Sequence, residues 1–88
     1  MDISELRVQI DDIDEKLLAL FIQRMAVSEK VAVYKAENRL PIHVPQREQE
    51  ILDKLCANAP KELVPYVVRF YQQIFSLSRE YQQQHTKE

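Results

Sequence analysis

Between Leu6 and Tyr34 apolar side chains recur at alternating spacings of four and three residues. The series runs Leu6, Ile10, Ile13, Leu17, Leu20, Arg24, Val27, Val31 and Tyr34, an unbroken heptad seam with one charged member. A helix turns about 100° per residue, so this spacing keeps all nine positions on one narrow face. Lys35, eleven residues beyond Arg24, lies only about 20° further round the axis. A seam this long implies one continuous helix that packs along its whole length. A guanidinium set into it must snorkel out or face a polar pocket, because burying it without an anion would cost several kcal/mol.

The ends of that helix are marked. Asp2 and Glu5 have capping-box spacing. Nothing interrupts the pattern until Asn38-Arg39-Leu40-Pro41, where proline removes a donor and biases Leu40 away from α. The stretch Leu40-Pro41-Ile42-His43-Val44-Pro45 reads as an extended connector, and Pro45 suits the first position of a second helix. That helix carries Arg47, Glu48, Ile51, Leu52 and Leu55 and fades at Ala57-Asn58-Ala59-Pro60. Pro65 opens a third, with a stripe of Val67, Phe70, Ile74, Leu77 and Tyr81. The expectation is therefore all-α: one domain over 1–88, with helices at about 3–38, 45–58 and 65–84 and a polar tail over 82–88 that frays.

Composition agrees. The chain has no glycine and four prolines, which removes glycine-rich phosphate loops and tight hairpins and leaves long helices punctuated by proline. A net charge of −2 argues against a general nucleic-acid surface. The single cysteine, Cys56, rules out an internal disulfide or thiolate zinc cage and reads as a small apolar helix residue. No stretch approaches the ~20 apolar residues of a membrane span, and the acidic, amphipathic start is unlike a secretory leader, so the chain reads as cytoplasmic. The same sequence is compatible with one domain of a longer polypeptide.

Length makes a further demand. A 35-residue helix is about 50 Å long, whereas a compact chain of this size has a radius of gyration of about 12–13 Å. Two shorter helices cannot cover such a seam. Homodimerisation through the first helix, antiparallel by two-fold symmetry, is the economical solution.

Arg7, Arg24 and Lys35 fall on or beside one heptad line: 7, 10, 14, 17, 21, 24, 28, 31, 35. Taken singly, helical cations are ordinary solvated surface groups. Arg7 and Arg24 lie about 25 Å apart along the axis, too far to grip one small molecule from one helix. In an antiparallel dimer, Arg7 of one chain can approach Arg24 and Lys35 of the other. Two equivalent cationic pockets per dimer are expected. Arg47 and Glu48 in the first turn of the second helix, and Ser78 with Gln82 on one face of the third, suit the same pocket.

These residues resemble the all-helical chorismate mutases. The resemblance rests on Leu6-Arg7, Ile10, Ile13-Asp14-Glu15-Lys16-Leu17-Leu18, Arg24, Tyr34-Lys35, Pro41-Ile42, Arg47-Glu48, and Ser78 with Gln82. Each piece is weak alone, but their order and spacing make a strong match over nearly the whole chain. The connector and the run Ser78-Arg79-Glu80-Tyr81-Gln82 look most like mutase domains at the front of bifunctional mutase–prephenate dehydratase proteins. The resemblance implies an intertwined dimer of three-helix protomers with two shared sites that rearrange chorismate to prephenate without cofactor or metal. It assigns the substrate carboxylates to Arg24 and the partner chain's Arg7, with help from Ser78. The ether oxygen goes to Lys35 and Gln82, the ring hydroxyl to Glu48, and an ordering role to Arg47. Position 44, where some members of the family carry an Asp that also binds the hydroxyl, is Val44 here. Two other readings stand beside it: an isochorismate–pyruvate lyase, which Glu48 disfavours, and a helical dimerisation module without chemistry.

Overall fold

The structure, a computed structural model, describes residues 2–86. It is built of α1 (Ile3–Glu37), α2 (Pro45–Ala57) and α3 (Val64–Thr86), with a single 3₁₀ turn over Lys61–Leu63 leading into α3. Among the described residues there is no strand.

Asp2 caps α1, its carboxylate accepting from the Glu5 N–H at 3.0 Å and so satisfying one of the donors that a helix start leaves free. At the other end, the Arg39 N–H donates to the Ala36 carbonyl at 3.4 Å and the Leu40 N–H to the Lys35 carbonyl at 2.8 Å. Arg39 itself sits at φ 54°, in the left-handed region. This is the Schellman pattern of a helix C-terminus, with arginine where glycine is usual. Pro45 occupies the opening turn of α2, and Val44, its N-cap, offers no side-chain acceptor.

The 3₁₀ turn puts the start of α3 one residue ahead of the prolyl boundary at Pro65. Its end corrects the expected fraying over 82–88: the helix continues through Thr86 and Gln82 is buried. His85 anchors that end, its Nδ1 within 2.8 Å of the Tyr81 carbonyl and its Nε2 3.5 Å from Glu29 on α1. The last two positions of the expected tail, 87 and 88, lie outside the described residues.

Helix α3 runs beside the C-terminal half of α1 in the same direction. Arg24 meets Phe75, Ser28 meets Ser78, and Glu29 meets His85. Helix α2 lies against α3 in the opposite sense, with Glu48 reaching Arg79. The buried core is small and half polar: Ala32, Ile74 and Phe75 beside Ser28, Ser78 and Gln82.

Up to Leu20, every described residue of α1 is exposed, the seam included. The molecule extends 54 × 27 × 15 Å with a radius of gyration of 16.2 Å, so the long axis is the length of α1 itself. No helix among the described residues is long and apolar enough to cross a membrane.

Candidate functional site

The polar part of the core opens into a cavity of about 500 Å³ between the second half of α1, the connector, the start of α2 and the end of α3. Helix α1 contributes Arg24, Ser28, Val31 and Lys35, successive members of one heptad line. The connector contributes Ile42 and Val44, α2 gives Arg47, Glu48 and Ile51, and α3 gives Phe75, Ser78, Arg79 and Gln82.

The half-buried Arg24 guanidinium lies over the Phe75 ring, 5.9 Å from its centre, a position held by cation–π attraction. Among the described residues, neither Arg24 nor Lys35 has a carboxylate within ion-pair distance. The Lys35 ammonium donates instead to the Ile42 carbonyl at 2.9 Å. Because the Schellman turn hangs on the carbonyl of the same residue, helix terminator and lysine together fix the connector above the cavity. An ammonium has three hydrogens, so two remain for a ligand.

Arg47 is largely exposed and pairs with Glu50 at 3.6 Å, one turn along α2. Exposed pairs of this kind are worth little, so this one restrains Arg47 only weakly at the cavity rim. Glu48 is more firmly held. One of its oxygens accepts from Arg79 at 2.5 Å, and the other lies 3.7 Å from His43 Nε2.

On the inner wall, the Ser28 and Ser78 hydroxyls lie 2.9 Å apart, and Gln82 Nε2 donates to Ser78 Oγ at 3.2 Å. The other end of that amide, Gln82 Oε1, is buried without a hydrogen-bond partner. A buried acceptor left unsatisfied costs about 1–3 kcal/mol. A half-turn of the amide would let Ser78 donate to Oε1 but would put the NH₂ donor at the same buried position, where only an acceptor brought by a ligand would satisfy it.

The structure thus brings Arg24, Lys35, Val44, Arg47, Glu48, Ser78 and Gln82 to one cavity. Arg7 is not among them; it is exposed on the uncovered half of α1. Two polar wall residues had not been singled out in the sequence. Ser28 was findable, since it stands on the heptad line between Arg24 and Lys35. Arg79 was harder, because the run Ser78-Arg79-Glu80-Tyr81-Gln82 carries the resemblance without giving this residue a role.

Four cations and one carboxylate line the cavity. It can therefore take a small polyanion, offer a carboxylate to a hydroxyl, and donate from lysine and amide. Among the described residues, no group of three or more His, Cys, Asp or Glu side chains is placed to hold a metal ion.

Comparison with known proteins gives a consistent family. The family model for chorismate mutase type II matches residues 6–83. A bifunctional chorismate mutase/prephenate dehydratase of Aquifex aeolicus is 43% identical over 54 residues, covering 61% of this chain and 15% of that protein. A chorismate mutase of Methanocaldococcus jannaschii is 38% identical over 53 residues, covering 60% of this chain and 54% of its own length. A T-protein of Enterobacter agglomerans is 33% identical over 73 residues, covering 77% of this chain and 20% of that protein. The chain spans at most about half the length of these relatives. No solved structure matches it significantly.

Proposed function

We propose that this chain, which belongs to the chorismate mutase type II family, catalyses the Claisen-type rearrangement of chorismate to prephenate. It does so as a cytoplasmic homodimer serving phenylalanine and tyrosine synthesis. The reaction is unimolecular and needs no nucleophile or base. The site must hold a flexible dianion in its chair-like reactive form and stabilise the negative charge that grows on the ether oxygen as the C–O bond breaks.

The observation that carries this reading is a pair of cations, Arg24 and Lys35, in one cavity and without an ion-paired carboxylate among the described residues. Arg24 receives one substrate carboxylate, since a guanidinium matches a carboxylate bidentately. Arg7 of the partner chain receives the other, because its own chain leaves it far from the cavity. Ser78 assists a carboxylate, and Arg47 swings in from the rim. Lys35 and the turned Gln82 amide donate to the ether oxygen, and Glu48 accepts from the ring hydroxyl. The walls of Val27, Val31, Ile51 and Phe75 exclude water and strengthen these contacts. A volume of about 500 Å³ lies in the usual range for small-molecule sites.

The test is loss of chorismate absorbance on adding the purified protein, with prephenate identified as product. A parallel incubation with isochorismate separates the lyase. Pyruvate release as the dominant activity would replace this reading, and inertness toward both would leave a dimerisation module.

A further inference from the structure

We infer that Arg79 is a positioning residue: it holds one oxygen of Glu48 so that the other is the acceptor presented to the substrate's ring hydroxyl. The inference rests on the chorismate reading above and assigns to Arg79 a role that the resemblance does not supply.

Glu48 is the one carboxylate on the cavity wall among the described residues. Its two oxygens are not equivalent. Oε2 accepts from Arg79 Nη1 at 2.5 Å, a charge-assisted bond between side chains only 28% and 23% exposed. Oε1 has His43 Nε2 at 3.7 Å, beyond hydrogen-bond reach, and is free to accept. The pair also joins α2 to α3, so the direction of Oε1 is set by two helices.

Two physical consequences follow. A glutamate has three rotatable bonds, and fixing one oxygen beforehand spares the substrate that ordering step. A bare carboxylate beside a dianion also repels it; Arg79 cancels that charge and leaves the acceptor in place. Both matter more here because position 44 is valine, so the wall has no second carboxylate to share the hydroxyl.

The alternative is that the pair merely staples two helices. Two bicyclic dicarboxylate mimics of the cyclic transition state, one with the ring hydroxyl and one without, distinguish the two by calorimetric titration. The full chain should favour the hydroxylated mimic by about tenfold or more, the usual range for a hydrogen bond to a charged group. In Arg79→Gln that preference should fall to about twofold. In a Glu48→Gln background, adding Arg79→Gln should leave the preference unchanged. A preference equal to wild type in Arg79→Gln, even with both affinities weakened, overturns the inference. Should Arg79→Gln lose its helical circular dichroism, Arg79→Lys decides, since an ammonium keeps the charge but not the fork. Its preference should fall between the other two, and a wild-type value overturns the assignment. A wild type that binds neither mimic and leaves chorismate unchanged would overturn the chorismate reading, and this inference with it. A wild type that is active while Arg79→Gln keeps the full preference removes the Arg79 role alone.

Discussion

A lysine whose ammonium already donates to a fixed carbonyl is an aimed donor, and Lys35 is aimed in this way. Its bond to the Ile42 carbonyl holds Nζ at the cavity wall before any ligand arrives. Preorganised donors of this kind contribute to rate through charge that exists only in the transition state. Lys35→Ala should therefore lower kcat by about 10²–10³, as loss of a single oxyanion donor does. Steady-state turnover of chorismate checks this, and near-normal kcat in the mutant would remove Lys35 from the mechanism. Arg24 was legible in sequence as a charge set into an apolar seam, and Lys35, Glu48, Ser78 and Gln82 by their spacing together with the resemblance. Ser28 and Arg79 were assigned no role, although Ser28 stands on the cationic heptad line and Arg79 lies within the run that carries the resemblance. Their parts depend on partners 50 and 31 residues away, which no local pattern encodes.

At the scale of elements, the helix starts were written in Asp2 and Pro45, and the connector in Pro41 and Pro45, because capping and proline sterics act over three or four residues. The persistence of α3 through Thr86 was not. Glutamines and a histidine read as a polar tail until Gln82 donates to Ser78, itself bonded to Ser28 of α1, and α1 sets the Glu29 carboxylate beside His85. The end of α1 carries a local strain that the missing glycines explain. Arg39 holds a left-handed conformation that disfavours any residue with a Cβ, and it does so at the turn that lays Ile42 over Lys35. Arg39→Gly should relieve it and raise stability by about 0.5–1 kcal/mol, the gain being reduced by glycine's greater freedom when unfolded. Thermal melts at one fixed protein concentration measure this. No change, or a loss, would mean that the Arg39 side chain contributes more than its backbone strain costs.

At the scale of the whole molecule, exposed surface is what supports the proposal of a second chain at the site. The chain exposes 7336 Å², against about 5,400 Å² expected of a folded monomer of its mass, an excess of about 1,900 Å². Much of that excess is apolar: Leu6, Ile10, Ile13, Leu17 and Leu20 are each 41–61% exposed along one face of α1. A second groove, lined by Leu17, Leu20, Phe21, Phe70, Ile74 and Leu77, continues that face between α1 and α3. A two-fold partner that laid its own α1 there would cover the seam and bring its Arg7 toward this chain's Arg24. Arg7→Ala and Arg24→Ala chains should then each be nearly inactive alone for lack of one carboxylate ligand. Unfolded and refolded together, they should regain activity, because each heterodimer carries one site with Arg24 from the first chain and Arg7 from the second. Random pairing makes half of the dimers mixed, so recovery should reach about a quarter of the wild-type rate. Recovery of nothing, with mixed dimers demonstrated by mass spectrometry, would mean that Arg7 does not act across the interface and that each site is closed by its own chain.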